Sequence, residues 1–526
     1  MIQNISLLDC TLRDGCHING GYFGKRAIIE IIENLVQANV DIIEVGFFDN
    51  GVHDEDSSYF SSIAEVRKIL PKNKGKSHFC LMADFVDVSD VDPCDGTIEF
   101  FRLSFKRHRW DWAIDAAKKL IAKGYKVYIN PVNCNVYTDE EYISCIKRVN
   151  ELKPYGFSIV DTFGVLRKQD LSRIYYMVEG NLDKDIVLGL HLHENLGLAY
   201  TLAQHFLEIR SPRRKISIDG SLLGMGRAPG NLCIDQIIDH LNNNFGADYN
   251  LEPAFDAIDN YIAPIKREKP WGYAIAYALS GKYGLHRTYA EYLMEKNRLK
   301  TKDIQRILSQ VDRDHIEMFD EDYIENLYRR YMSSSYDDSN TMNTLRSAIE
   351  NRTVLVICPG SSISRYRNDI IRFANENDAV VISVNFVPEF IQPDIAFCAN
   401  SKRLVNIRGS KNVFRIITSN LKEDAAEYCE GIVSFNECVY FNETFCEDST
   451  LMLLKTLERA DRGEVYIAGF DGFRNGGADY YSEHYTREEG KNVSVETVQG
   501  ILHSALNRMK IHFLTPSVYE KEQKDD

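Results

Sequence analysis

Along the N-terminal half of the chain, short runs rich in β-branched residues alternate with longer stretches whose apolar positions recur at helical spacing. That alternation is the pattern of parallel strand–helix–strand units. Strands are expected near 5–9, 41–46, 77–82, 98–104, 127–131, 157–161, 186–193 and 216–220. After the first of them, Ile28, Ile31, Ile32 and Leu35 mark one face of a helix over 25–38. Eight such pairs within roughly 250 residues have the count and length of a (β/α)8 barrel, so the fold class is read as α/β with a TIM barrel first.

From about 253 to 332 the helical pattern continues without strands and carries Trp271, Tyr273, Tyr277, Tyr283, Tyr289 and Tyr292, most of them read as packing residues. The polar run from Ser333 to Asn340 reads as a linker. Beyond it, the apolar run 353–358 enters Pro359-Gly360-Ser361-Ser362, and further strands are expected at 379–384, around Ile395 and at 464–471. These suggest an open parallel sheet of Rossmann type. The expected division is a barrel domain at 1–252, a helical extension at 253–334, a linker at 335–350 and a Rossmann-like domain at 351–526.

Composition narrows the class of partner. With 526 residues, 44% hydrophobic and 26% charged, the chain is long enough for several cores and ordinary enough to be globular. Sixty-two Lys and Arg against 77 Asp and Glu leave a formal charge of −15, which disfavours nucleic acid as a partner. The 12 cysteines form no C-x-x-C pair, as expected of reduced thiols. No apolar run approaches the ~18 residues of a membrane span, and Asp9, Arg13 and Asp14 stand where a signal peptide needs apolar residues. A cytoplasmic homo-oligomer is expected.

The chemistry gathers at strand ends. The first strand runs into Leu8-Asp9-Cys10-Thr11-Leu12-Arg13-Asp14-Gly15-Cys16-His17, and the seventh ends in His191-Leu192-His193-Glu194-Asn195. An isolated histidine is most often a solvated side chain. Two at i and i+2 on one strand share a face, and with Asp14 they make a set of two imidazoles and one carboxylate suited to Mn²⁺, Co²⁺, Fe²⁺ or Mg²⁺ in an open site. After the eighth strand, the Gly-rich stretch from Gly220 to Asn231 is either a tight turn or a loop in which Asn231 adds an oxygen ligand or binds substrate. Glu44, at the end of the second strand, is expected to hold Arg13 in place.

Over about 290 residues these motifs resemble the DRE-TIM metallolyases: Thr11-Leu12-Arg13-Asp14-Gly15, Glu44, His191-Leu192-His193-Glu194-Asn195-Leu196-Gly197 and Gly230-Asn231. Within that family the chain is most similar to the 4-hydroxy-2-oxovalerate aldolases, because His17 stands three residues after Asp14, where the isopropylmalate and citramalate synthases carry a glutamine. The stretch Gly224 to Asn231 lacks the cysteine of hydroxymethylglutaryl-CoA lyase, which disfavours a CoA-dependent reaction. The resemblance implies a (β/α)8 barrel in which Asp14, His191 and His193 hold a divalent cation, Mn²⁺ before Mg²⁺ or Co²⁺, that chelates a 2-oxo acid such as pyruvate. It implies that Arg13 stabilises the enolate. His17 would take the proton from the 4-hydroxyl as the aldehyde leaves. A tyrosine beyond the barrel would assist, best aligned with Tyr277 and with Tyr273 and Tyr283 as rivals. The implied activity is an aldolase cleaving or forming 4-hydroxy-2-oxo acids. Such aldolases pair through C-terminal helices with a separate aldehyde dehydrogenase, whereas this chain continues into another domain, which leaves the aldehyde open and admits a sugar-derived one.

The run from Ile357 to Ser364 is either an ordinary strand-to-helix turn or a loop whose backbone amides receive phosphate, and it resembles the Gly-Pro-Ser loop of the bacterial sialyltransferase-like and hydroxymethylpterin-diphosphokinase-like group, although Cys358 and Ser361 depart from its pattern. It implies a nucleotide or nucleotide-sugar pocket at Gly360, Ser361, Ser362, Asn385 and Asp471. His484, among Tyr480, Tyr481 and Tyr485, is read as a core residue before a base for sugar transfer. Two other functions compete: a glycosyltransferase or nucleotide-sugar-binding protein with an accessory barrel, and a Claisen-type synthase using an acyl-CoA.

Overall fold

A computed structural model describes residues 4–441, 445–472, 494–504 and 509–520. The chain forms two compact units, Met1–Arg287 with Asp312–Phe319 and Thr288–Val311 with Asp320–Asp526.

In the first unit eight strands lie parallel: β1 (Ile5–Asp9), β2 (Ile42–Phe48), β3 (His78–Asp84), β4 (Phe100–Phe105), β5 (Lys126–Pro131), β6 (Gly156–Asp161), β7 (Val187–Leu192) and β8 (Ile216–Gly220). Each pairs with the next, and β1 pairs with both β2, through Leu8 against Ile42, and β8, through Ile5 against Ile216. The sheet therefore closes into a barrel, as the alternating pattern predicts. The helix Lys25–Gln37 buries Ile28, Ile31, Ile32 and Leu35, and the strand–helix layer forms one continuous apolar core.

Two-residue periodicity sorts the barrel interior by height. Leu8, Ile42, Cys80, Phe100, Tyr128 and Val187 plug the lower interior. Two residues further along their strands come Glu44, Arg102, Asn130 and, on β8, Asp219, all buried. His191 and His193 follow at the end of β7. The barrel is thus apolar below and charged above, which directs the chemistry to the ends of the strands. At the top of β2 the register shifts between Glu44 and Phe47, and Gly46 (φ +154°) permits it because a Cβ there would stand 1.9 Å from the Ser58 carbonyl oxygen.

The second unit carries a seven-stranded parallel sheet of β9 (Val354–Ile357), β10 (Val380–Val384), β11 (Ile395–Cys398), β12 (Phe414–Thr418), β13 (Gly431–Val433), β14 (Glu464–Ala468) and β15 (Lys510–Phe513). Their spatial order is β13-β12-β11-β10-β9-β14-β15, so the winding reverses at β9. The short strands β12, β13 and β15 are additions to those expected.

The stretch expected as one helical extension at 253–334 divides between the units. Leu251–Ala257 packs on Lys25–Gln37, whereas Thr288–Glu295, Thr301–Leu308 and Glu321–Met332 pack together in the second unit. Within 335–350, expected as a linker, Ser339–Ile349 is a helix that buries Met342, Leu345 and Ile349. Its apolar positions are sparse but fall on one face, and the polar composition hides them. Among the described residues no helix is long and apolar enough to cross a membrane.

Candidate metal centre

The short helix Thr11–Asp14 follows β1 directly, and its start is tied down by Asp9, whose carboxylate accepts from the Thr11 amide (2.9 Å) and hydroxyl (2.8 Å). This carries Arg13 and Asp14 over the barrel mouth. Asp14 Oδ2 lies 3.8 Å from His191 Nε2 and 3.7 Å from His193 Nε2, and all three side chains are buried. One ligand atom from each lies within 4.8 Å of the other two. The three residues read as ligands from the sequence, almost 180 positions apart, are brought together.

The protonation pattern fits a cation. His193 Nδ1 meets the Asp161 carbonyl at 3.1 Å, an atom that can only accept, so Nδ1 carries the hydrogen and the Nε2 lone pair faces Asp14. His191 Nδ1 meets the Asp219 carboxylate at 3.1 Å, which turns its Nε2 the same way. Burial, then the neighbouring His191, push the His193 imidazole down to about 3, so it is neutral near pH 7. Burial alone would raise the Asp14 carboxyl, but Arg13 and the His17, His193 and His191 rings hold it well below the usual range. The Nε2 atoms of His191 and His193 thus face the Asp14 carboxylate at 3.7–3.8 Å, beyond hydrogen-bond distance, an arrangement that suits a divalent cation.

Asn231 completes the floor. A bridge pairs its backbone with that of His193, and its Nδ2 donates to Asp14 Oδ2 at 2.5 Å and to the Met225 carbonyl at 3.2 Å. Its buried Oδ1 has no hydrogen-bond partner, a spare donor of the type expected for a fourth oxygen ligand. Gly226 makes room for this amide, because a Cβ there would stand 2.2 Å from Asn231 Nδ2 and 3.0 Å from Asp14 Oδ2.

Arg13 is fixed from two sides, by Glu44 Oε2 at 2.7 Å from Nε and by Asp14 Oδ1 at 2.9 Å from Nη1. The expectation for Glu44, holding Arg13, matches this contact. His17 Nε2 lies 3.6 Å from Asp14 Oδ1, with its ring edge-on to Phe47. Burial lowers its pKa, Asp14 opposes that, and Arg13, Arg227 and Arg287 add to it. Arg13, Asp14, His17, His191 and His193 line one cavity of about 230 Å³.

Tyr277 is half-buried on the helix Ile275–Tyr283 and is not among the residues that line this cavity, and neither are Tyr273 and Tyr283. The sequence reasoning missed Arg102, Asp219, Lys106, Arg227 and His286. Arg102 carried a signal: a charged residue inside the apolar strand Phe100–Phe105 has to find its partners within the barrel. His286 Nε2 lies 2.6 Å from Arg227 Nη2, and burial together with Arg227, Arg287 and Lys106 pushes its imidazole down to about 4.

In the second unit Gly360, Ser361, Ser362 and Asp471 meet where the winding reverses. The Asp471 carboxylate accepts from the Ser362 amide (2.8 Å) and from its hydroxyl, so a donor expected to face phosphate is already engaged. Asn385 (φ +64°) follows β10, and its Oδ1 accepts from the Ala399 amide at 3.3 Å. His484, Tyr480, Tyr481 and Tyr485 lie outside the described residues.

Comparison with known proteins bears directly on the barrel. Residues 4–254 match the family model described as HMGL-like. These residues are an HMGL-like domain, and the resemblance to DRE-TIM metallolyases is borne out over them. The chain is 25% identical over 268 residues to a probable 2-isopropylmalate synthase of Methanosarcina mazei, covering 48% of this chain and 49% of that protein. It is 21% identical over 323 residues to an oxaloacetate decarboxylase of Mycobacterium tuberculosis, covering 59% and 91%. It is 22% identical over 333 residues to a 4-hydroxy-2-oxovalerate aldolase of Pseudoalteromonas translucida, covering 57% and 92%. The chain thus spans about half the length of the synthase and nine-tenths of the other two.

Proposed function

We propose that the barrel is a divalent-metal-dependent aldolase that cleaves or forms 4-hydroxy-2-oxo acids, with pyruvate as the oxo-acid fragment. The observation that carries this reading is the convergence of Asp14, His191 and His193 beside Arg13 and His17 at one cavity. A divalent cation held by Asp14, His191 and His193, with Asn231 beside them, supplies Lewis-acid polarisation of a 2-oxo group. Mn²⁺, Co²⁺ and Mg²⁺ all suit that donor set. Arg13, a permanent cation fixed by Glu44 and Asp14, stabilises negative charge that develops on the oxo-acid oxygen. His17, kept neutral near pH 7 by burial, accepts the proton of the 4-hydroxyl as the carbon–carbon bond opens, and returns it in the condensing direction. The similarity to an aldolase over nine-tenths of its length supports this reading.

The test is pyruvate release from a panel of 4-hydroxy-2-oxo acids by the chain loaded with Mn²⁺. Release that disappears in the H191A/H193A variant is expected. No release from any panel member would overturn the reading. A second reading, condensation of an acyl thioester with a 2-oxo acid, is favoured by the similarity to 2-isopropylmalate synthases. It requires thiol release from an acyl-CoA, which the aldolase reaction does not produce. For the second unit we propose a nucleotide or nucleotide sugar beside β9, bound only when Asp471 releases Ser362.

A further inference from the structure

Behind the candidate ligands, six buried side chains from five barrel strands or the loops that follow them close into a ring. Arg13 Nη1 meets Asp14 Oδ1 at 2.9 Å, and Asp14 Oδ2 faces His191 Nε2 at 3.8 Å. His191 Nδ1 meets Asp219 Oδ2 at 3.1 Å, and that same oxygen accepts from Arg102 Nη2. Arg102 Nη1 meets Glu44 Oε2 at 3.1 Å, and the same Glu44 oxygen returns to Arg13 Nε at 2.7 Å. Arg102 is 1% exposed, lies in the middle of β4 and is the only cation among the described residues that bridges Glu44 to Asp219. With the Asn130 amide oxygen turned inward, it also accepts from Arg102 Nε (3.1 Å) and Nη2 (2.7 Å), so the guanidinium is held on three sides.

A buried arginine in the middle of a strand is costly unless its charge is compensated, and a lysine has one charged atom with which to reach carboxylates on opposite walls. The planar fork of Arg102 spans them. Glu44 in turn aims Arg13, and Asp219 in turn aims His191. The two halves of the candidate centre, the group suited to an oxyanion and the ring suited to a cation, share no direct contact except through Asp14. Their other connection runs through this one guanidinium.

We infer that Arg102 is a positioning residue that couples the metal-ligand geometry at His191 to the orientation of Arg13, so that Glu44, which touches no ligand, contributes to metal affinity through it. The inference rests on the metal-centre reading above, and Co²⁺ titration followed by visible absorbance separates the two failures without any turnover. Wild-type chain that takes up no Co²⁺ defeats the metal centre and the coupling with it. If it does take up Co²⁺, R102M is expected to weaken affinity ten- to a hundredfold, the scale on which groups that orient metal ligands act. R102K, which keeps the charge and loses the fork, is expected to fall between.

The coupling itself is read from E44Q. In the wild-type background E44Q is expected to weaken Co²⁺ several-fold, and in the R102M background to weaken it by clearly less, because only the path through Arg13 and Asp14 then remains. Guanidinium ion at millimolar concentration is expected to restore Co²⁺ affinity to R102A, which leaves the volume free, and not to D219N. Should R102M fail to fold, R102K carries the same comparison with E44Q. A residue that merely filled space would lower thermal stability but leave the E44Q effect identical in both backgrounds. That outcome, or wild-type Co²⁺ affinity in R102M, overturns the inference.

Discussion

Gly226→Ala is a one-carbon perturbation aimed at the candidate centre from behind. The added Cβ would stand 2.2 Å from Asn231 Nδ2 and 3.0 Å from Asp14 Oδ2, so the amide has to leave its place. Asn231 is 1% exposed and bridged to His193, so it has little room to move without losing the 2.5 Å hydrogen bond to Asp14. A hydrogen bond to a charged acceptor contributes about 1.5–3 kcal/mol. At about 1.4 kcal/mol per factor of ten, the loss corresponds to roughly ten- to a hundredfold in metal affinity. Gly226 is not among the glycines with positive φ, so alanine adds no backbone strain, and the effect is expected in binding more than in folding. Co²⁺ titration measures the first and thermal denaturation of the metal-free chain the second. N231A is expected to weaken Co²⁺ on the same scale, and G226A added to N231A to do little more. Wild-type affinity in G226A would refute the place given to Asn231.

Removing metal with a chelator is expected to lower thermal stability, by about 2.7 kcal/mol relative to the chain at a hundred times the dissociation constant. The shift should vanish in H191A/H193A, and differential scanning with and without Mn²⁺ checks it. R13Q is expected to cut kcat for oxo-acid cleavage about 10²–10³-fold with a smaller change in KM, the cost of losing one oxyanion donor; steady-state kinetics on the best panel substrate measures the split. His17 is depressed below its ordinary 6.5, and a cation beside Asp14 would lower it further. The base is therefore available above its pKa, and kcat/KM is expected to fall on acidification with a midpoint below 6.5. A profile flat from pH 5 to 8 with metal bound would remove His17 as the base.

The barrel was legible because buried parallel strands read as apolar runs and the helices between them carry a clear one-sided pattern. The candidate ligands were legible for a related reason: His191 and His193 at i and i+2 of a strand share a face whatever surrounds them. Arg102 and Asp219 were overlooked because their significance lies in each other, and partners on separate strands cannot be paired from one sequence. Tyr277 shows a different difficulty, since a tyrosine in a helical stretch gives no indication of which wall it faces, and it is not among the residues that line the cavity. The division of the helices at Arg287 was likewise hidden. Amphipathic helices on either side of it have the same pattern, and only packing decides which core each one covers. In the second unit, Asp471 reaches Ser362 across 109 positions, a contact that local loop chemistry could not reveal.

Deuterium exchange into the methyl group of pyruvate, followed by mass spectrometry in heavy water, asks most directly whether the three converging side chains do what their geometry suggests. Exchange is expected with the Mn²⁺-loaded chain, with none after chelation and none in H191A/H193A. Exchange that continued at the same rate in the chelated chain, or in the double variant, would contradict the proposal that Asp14, His191 and His193 hold the metal on which the chemistry depends.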